Sequence, residues 1–185
     1  MIELMLALVV FTIVSGLVLV SILTSNQTYA TSQALVNVQQ EARRALQFMA
    51  RELRGAGGAV TGWGSSQFNF QLGLGYNLAG TVPGCLPDAF CWGAIDANGT
   101  PNFNWSVRYM VNGTQLVREV LDTGGVVTGM RVLANNVSQI TFTDVGGAAN
   151  TVGLHLQVVQ QGPLFPGGVK TSPGTLHMQV RLRGR

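Results

Sequence analysis

Residues 4–24 read LMLALVVFTIVSGLVLVSILT, an apolar run of 21 residues that contains no charged side chain. An α-helix rises about 1.5 Å per residue, so this run would measure about 32 Å, enough to cross the hydrocarbon core of a bilayer. A cleaved secretory signal would begin with basic residues, and this pattern has no basic start. We therefore expect a helix that a membrane or a protein assembly surrounds on every side.

From Ser25 onward the pattern becomes amphipathic. Apolar residues take the i, i+3, i+4, i+7 spacing of one helix face. They are Leu35, Val38, Ala42, Ala45, Leu46, Met49 and Leu53. The opposite face is polar, with Gln40, Arg44, Gln47, Arg51 and Arg54. With Gly55 as the terminating residue, the pattern predicts one long helix over residues 1–54: an apolar half over 1–24 and an amphipathic half over 25–54.

The composition excludes several classes of protein. A chain of 185 residues is long enough for one domain with its own core. Charged residues make up only 10%, against roughly 25% in an ordinary soluble protein, which argues against a disordered charged chain. The arginines are scattered; the one concentration is Arg181, Arg183 and Arg185, which share a strand face. A nucleic-acid interface would cluster them, so no nucleic-acid partner is expected.

The remainder, residues 55–185, predicts a β-sheet head. Asn112-Gly113 between two β-rich runs predicts a two-residue hairpin connection. The last two predicted strands alternate so that each has one apolar face, which fits an antiparallel sheet covered on one side. The predicted strands span 67–72, 105–111, 114–121, 126–133, 137–144, 151–159 and 175–183. The amphipathic helix half supplies the matching apolar stripe, so the fold class is α+β.

Residues 56–104 are rich in Gly, Asn, Ser and Pro and predict a long decorated loop with one strand. Cys85 and Cys91 lie within it, without the neighbouring ligands that a zinc site needs. We expect a disulfide that closes this loop region and indicates an oxidising, exported location. The alternative is two free thiols in the cytosol.

The N-terminal residues resemble a known family. Ile2-Glu3-Leu4-Met5, followed by the apolar run, resembles the mature N terminus of type IV pilins and type II secretion pseudopilins, which share the class III signal. The second helix half is similar to the PilW and pseudopilin J branch. Its matching residues are Ser25-Asn26-Gln27-Thr28-Tyr29, Gln40-Glu41, Arg43, Arg44-Ala45-Leu46, Arg51, Leu53-Arg54 and Ala56-Gly57. The resemblance covers the first third of the chain and implies the pilin fold.

The resemblance also implies a role for the first helical turn. Glu3 would pair with the N-terminal amine of a neighbouring subunit during assembly, with Ile2, Leu4 and Met5 beside it. Independently of the resemblance, the low helix propensity of Gly16 predicts a soft point in the apolar half of the helix. The family's glutamate is usually the fifth residue of the mature chain, whereas here it is the third. We therefore expect two residues to precede Met1; the alternative is an unusual processing site.

Other candidate sites are weaker. His155 and His177 lie on the polar faces of the last two strands, where the pattern predicts solvated histidines and no metal. The Asp96–Thr100 stretch favours a plain turn over a calcium loop. Asn26, Asn98, Asn104, Asn112 and Asn136 begin glycosylation sequons. No catalytic or phosphate-binding motif appears, so we expect neither an enzyme nor a cofactor.

Taken together, these patterns and the resemblance predict a structural subunit of a type IV pilus-like filament. Its partners would be copies of itself in a helical polymer, other pilins, and the assembly machinery of the inner membrane, which holds the chain before assembly. The alternatives are a minor tip or priming pilin and a type II secretion pseudopilin. An alternative of another class is a monomeric, membrane-anchored binding module.

Overall fold

The computed structural model describes residues 2–61, 66–78, 80, 82–145, 151–159 and 174–182. One helix, α1, runs from Ile2 to Arg54, and the rest of the described chain forms strands, turns and short loops. The strands are β1 (Ala56–Thr61), β2 (Gln67–Tyr76), β3 (Phe90–Ile95), β4 (Pro101–Phe103), β5 (Ser106–Asn112), β6 (Gln115–Leu121), β7 (Val127–Ala134), β8 (Val137–Asp144), β9 (Thr151–Val158) and β10 (Gly174–Arg181).

The strands form two antiparallel sheets rather than the single sheet that the pattern predicts. The larger sheet has the order β4-β3-β2-β5-β6-β7, with β1 paired to β2, and the smaller has the order β10-β9-β8. The chain crosses between them at the short β7–β8 connection, where Asn136 takes a positive φ of 57° and the Val137 amide donates to the Thr114 carbonyl at 2.9 Å. The α+β class is confirmed.

The core lies between the two sheets and the amphipathic half of α1. The buried helix face consists of Val38, Ala42, Ala45, Leu46, Met49, Ala50 and Leu53. This is the predicted stripe with Ala50 in addition and without Leu35, which is 36% exposed. Phe142 of the smaller sheet stacks on Phe68 of the larger one, with ring centroids 5.0 Å apart. Burial of a large apolar side chain contributes about 1.5–3 kcal/mol to stability. Leu46, Met49 and Leu53 are buried in this way, so the second helix half is an integral part of the head.

The β5–β6 hairpin is confirmed, but its turn is displaced by one residue. Asn112 pairs with Gln115 as the last ladder position, so the connection is Gly113-Thr114 and not Asn112-Gly113. Gly113 has a φ of 62°, a left-handed conformation that glycine adopts at no steric cost. This register places Arg108 opposite Glu119, and the two side chains form an ion pair with a 2.5 Å separation between Arg108 Nη2 and Glu119 Oε2.

The prediction of a long loop over residues 56–104 is wrong. The region contains β1, a β2 that extends to Tyr76, β3 and β4, in addition to the disulfide loop. Glycines within these strands break the alternation that would have identified them. Gly93 also has a packing role, because a Cβ at this position would lie 2.0 Å from the carbonyl oxygen of Asn102 on the neighbouring strand.

The Cys85–Cys91 disulfide is present, with 6.0 Å between the Cα atoms. Asn77 organises the loop that it closes. This buried side chain donates from Nδ2 to the carbonyls of Cys85 at 3.0 Å and Leu86 at 3.3 Å. Its backbone amide donates to the Ala89 carbonyl at 2.9 Å. The loop is therefore held by the disulfide and by the hydrogen bonds of a single buried residue, Asn77.

Replacing both Cys85 and Cys91 by serine is expected to lower the free energy of unfolding of the head by about 2–3 kcal/mol, because the unfolded chain gains conformational freedom. Chemical denaturation followed by tryptophan fluorescence measures this change. Asn77→Ala should lower the free energy of unfolding by about 1–3 kcal/mol even with the disulfide intact, because it leaves the carbonyls of Cys85 and Leu86 without their donor. A loop that tolerates both changes without loss would contradict this description.

Candidate assembly surface

The first half of α1 is exposed along its whole length. We call Ile2–Asn26 the exposed helix segment; none of its residues is buried. Large apolar side chains face outward on every side of it, with Ile2 81% exposed, Met5 73% and Phe11 72%. Monomeric soluble proteins rarely expose so large a contiguous apolar surface. The segment therefore requires an apolar environment that the head of the same chain does not provide.

Two threonine hydroxyls of this segment form hydrogen bonds inside the helix. The Thr12 hydroxyl donates to the Val9 carbonyl at 2.8 Å, and the Thr24 hydroxyl donates to the Val20 carbonyl at 2.9 Å. In an apolar medium an unsatisfied hydroxyl costs free energy, and such local hydrogen bonds remove that cost. The 25 residues of the segment are long and apolar enough to cross a membrane, a criterion that an N-terminal signal sequence also meets.

The predicted assembly residues all lie in this segment. Ile2, Glu3, Leu4 and Met5 form the exposed first turn of α1. At this end the carboxylate of Glu3 is favoured by the helix dipole. Gly16 lies within an unbroken α-helix, and no atom beyond its chain neighbours and the local helix backbone lies within 4 Å of where its Cβ would be. The helix is therefore continuous through the predicted soft point.

A partly buried polar cluster fixes α1 to the head. Arg118 of β6 donates from Nε to both carboxylate oxygens of Glu52, at 3.1 and 3.0 Å. The Tyr109 hydroxyl of β5 donates to the same carboxylate. The side chains of Arg118 and Glu52 are only 11% and 18% exposed. We call Glu52, Tyr109 and Arg118 the helix anchor.

The helix anchor keeps the tyrosine protonated. Burial raises the pKa of Tyr109 well above its usual value, and the negative charge of Glu52 raises it further, while Arg118 opposes this rise. At neutral pH the hydroxyl therefore remains a donor to Glu52. Since both sheet partners converge on one carboxylate, the anchor ties the last turn of α1 to the β5–β6 hairpin.

A second contact anchors the helix further toward its N terminus. Glu41 accepts two hydrogen bonds on Oε1 from Asn135 in the β7–β8 connection, from the backbone amide at 3.0 Å and from Nδ2 at 2.8 Å. Between the two anchored glutamates, Arg131 of β7 lies over the Phe48 ring, with Cζ 5.1 Å from its centroid. Glu41 and Glu52 are about three helical turns apart and so lie on one side of α1.

Sequence reasoning missed the helix anchor, although a signal was present. Glu52 follows Met49 by three residues and Ala45 by seven, so the spacing that defines the apolar stripe also includes this carboxylate. An acid on a buried stripe needs a partner. A correct hairpin register would then have identified Tyr109 and Arg118, which are direct cross-strand neighbours.

The turn interpretation of Asp96–Thr100 is confirmed. The Asp96 carboxylate accepts from the backbone amides of Asn98 and Thr100, both at 2.8 Å, and Asp122 makes the same pair of contacts to Gly124 and Val126.

Among the sequon residues, the side chains of Asn98, Asn104, Asn112 and Asn136 are all exposed; their glycosylation stays a prediction. Arg181 is exposed on β10, while Arg183 and Arg185 lie outside the described residues.

The two strand histidines are brought together. His155 and His177 are direct partners across β9 and β10, and their Nδ1 atoms lie 2.7 Å apart. No group of three or more His, Cys, Asp or Glu side chains within the described ranges is arranged to hold a metal ion.

Comparison of the chain with protein-family models, with curated proteins and with solved structures finds no significant match.

Proposed function

We propose that this chain is a structural subunit of a type IV pilus-like extracellular filament that assembles through its N-terminal helix. The observation that carries the proposal is a continuous α-helix, Ile2–Arg54, whose second half is part of the head's core while its first half is entirely exposed and apolar. Such a segment requires either a bilayer or the corresponding segments of other copies. A filament subunit uses both, the bilayer before assembly and its neighbours after it.

The helix anchor supports this proposal mechanically. A subunit that packs by its helix must transmit the position of that helix to its head, or the heads would not form a regular wall. Glu52 and Glu41 hold one side of α1 at two points along the head. Packing of the exposed helix segment of one copy against a different surface of the next is a heterologous contact. Such contacts do not close on themselves and generate a helical polymer.

The residue resemblance gives Glu3 its role in the proposal. In a membrane, Glu3 lies at the edge of the bilayer, where its charge remains solvated. Once the helix enters a filament core, an unpaired carboxylate would cost several kcal/mol, so a cation from a neighbouring subunit is required. The N-terminal amine of an adjacent copy would supply it, which would set the axial register between subunits.

Replacing Glu3 by alanine is expected to abolish surface filaments while leaving the chain in the membrane at its normal level, since the apolar segment is unchanged. Filaments sheared from cells and quantified by immunoblot, beside the membrane fraction, provide the measurement. Asp144→Ala is a matched control, because it removes an acid from the head at the end of β8. Undiminished filaments in the Glu3 variant would contradict the proposed role of this residue.

One observation favours a minor pilin at the filament tip, or a monomeric membrane-anchored binding module. Apolar side chains are exposed around the disulfide loop, among them Tyr76, Leu78, Leu86 and Phe90. A head that only forms a wall has no need of such a patch, whereas a ligand-binding tip does. Position in the filament separates the roles: a shaft subunit recurs along its length, a tip subunit is found at one end, and a binding module is absent from filaments.

A further inference from the structure

The outer face of the smaller sheet presents two imidazoles as a pair. His155 and His177 face each other across β9 and β10, and their Nδ1 atoms form a hydrogen bond of 2.7 Å in which one ring donates and the other accepts. A chelated cation would take the place of the shared proton. The rings meet edge to face, with centroids 4.5 Å apart and an interplanar angle of 86°. Neither side chain is buried. Two strong nitrogen donors therefore lie on adjacent, hydrogen-bonded strands and are open to solvent.

We propose that this histidine pair is a chelating site for a divalent transition-metal cation, with Cu²⁺ the best fit. Imidazole nitrogens bind such cations at about 2.0 Å, so two ligands in neighbouring positions of a square-planar site lie about 2.8 Å apart. A tetrahedral Zn²⁺ site would separate them by about 3.3 Å. Both spacings are within about 0.1–0.6 Å of the 2.7 Å hydrogen-bond distance between the Nδ1 atoms, so small side-chain rotations would allow either geometry. The general order of affinities places Cu²⁺ above Ni²⁺ and Zn²⁺.

The surroundings favour a nitrogen-preferring cation over Ca²⁺ or Mg²⁺. Thr141 of β8 continues the row as the cross-strand partner of His155, and this row contains no carboxylate of the kind that Ca²⁺ and Mg²⁺ require. Both cysteines are joined in the disulfide and supply no thiolate. The remaining coordination positions are therefore left for water or for a donor from another molecule.

Gly153 is the neighbour of His155 along the strand face, and the space beside it is occupied by Thr143 and Val145. Gly153 precedes His155 by two residues on the same strand face and has no side chain to cover the ring. A Cβ built at Gly153 would lie 3.6 Å from Nε2 of His155 and closer still to the Thr143 hydroxyl. The two strands hold the ligands in place before the metal arrives, which lowers the ordering cost of chelation.

Titration of the full-length chain in detergent micelles with Cu²⁺ tests the proposal. We expect one Cu²⁺ per chain and an electron paramagnetic resonance spectrum with nitrogen couplings from two imidazoles. His155→Gln and His177→Gln should each weaken binding about 100-fold, because the second ligand of a chelate binds at a high effective concentration. The double variant should lose little more affinity for Cu²⁺ than either single variant, because one substitution already removes the chelate.

Several results separate the histidine pair from adventitious binding. Gln179→Ala, on the same face of β10, should bind Cu²⁺ as the unmodified chain does. Circular dichroism should show that all variants fold, since the substituted side chains are at the surface. The proposal would be overturned if the double histidine variant bound Cu²⁺ as tightly as the unmodified chain, or if the affinity losses of the two single variants simply added in the double variant. Because assembly does not enter this measurement, its outcome is independent of the filament proposal.

Discussion

Replacement of Glu52 by alanine should lower the free energy of unfolding of the head by about 3 kcal/mol, because removing one partner of a buried ion pair leaves the other charge uncompensated. In the variant, the guanidinium of Arg118 and the hydroxyl of Tyr109 both lose their acceptor while remaining largely buried. Denaturant unfolding of the full-length chain in detergent, followed by tryptophan fluorescence, measures the loss. The same variant should form few filaments even where it is folded, because its head is less firmly held to α1.

Glu41→Ala is the matched control for this prediction. It makes the same substitution on the same side of the same helix, but its hydrogen bonds to Asn135 are exposed to solvent. The free energy of unfolding of this variant should fall by only about 0.5–1.5 kcal/mol. A double-mutant cycle with Arg118→Ala should give a coupling energy of at least 1 kcal/mol with Glu52. If Glu52→Ala were no more destabilising than Glu41→Ala, the helix anchor would not have the role described above.

Phe142→Ala should destabilise the head by about 3–5 kcal/mol, since it empties a fully buried site and leaves a cavity. Phe142 is fully buried and stacks on Phe68 from the opposite sheet, so the cavity would open where the two sheets meet. Thermal and denaturant unfolding both measure the effect. The near-ultraviolet circular dichroism of the aromatic core should weaken in parallel.

Phe90→Ala provides the comparison, because Phe90 is 50% exposed even though its ring also contacts an aromatic neighbour, Trp92. Its loss should not exceed about 1 kcal/mol. Similar losses for the two phenylalanine variants would be inconsistent with a core built between two sheets.

The helix could be predicted from sequence because its signals are long and uninterrupted. An apolar run followed by a continuous amphipathic stripe constrains every turn, and Gly55 marks the end. The same applies to β9 and β10, in which apolar and polar residues alternate clearly. The strands β1, β3 and β4 could not be predicted, because glycine and asparagine interrupt their alternation and their pairing depends on tertiary contacts. Gly93 is an example: its role depends on a backbone carbonyl of another strand.

The helix anchor shows how a small error in a turn conceals a site. A turn at Asn112-Gly113 places Tyr109 opposite Leu116, whereas the observed turn places it opposite Arg118. The predicted register therefore separates the two residues that meet Glu52. The histidine pair could be predicted only in part, as two residues on the polar faces of adjacent strands that could be neighbours. The strands and their polar faces were predicted, but the register that makes His155 and His177 direct partners depends on the whole β9–β10 ladder.

The central claim is that copies of this chain assemble through the exposed helix segment. Cryo-electron microscopy of filaments sheared from cells, with mass spectrometry of the same sample, tests it most directly. We predict that this chain is found in the filaments, with Ile2–Asn26 buried in a shared helical core and the two-sheet head on the outer wall. Filaments that contain no trace of the chain, while it remains in the membrane as a monomer, would contradict the claim.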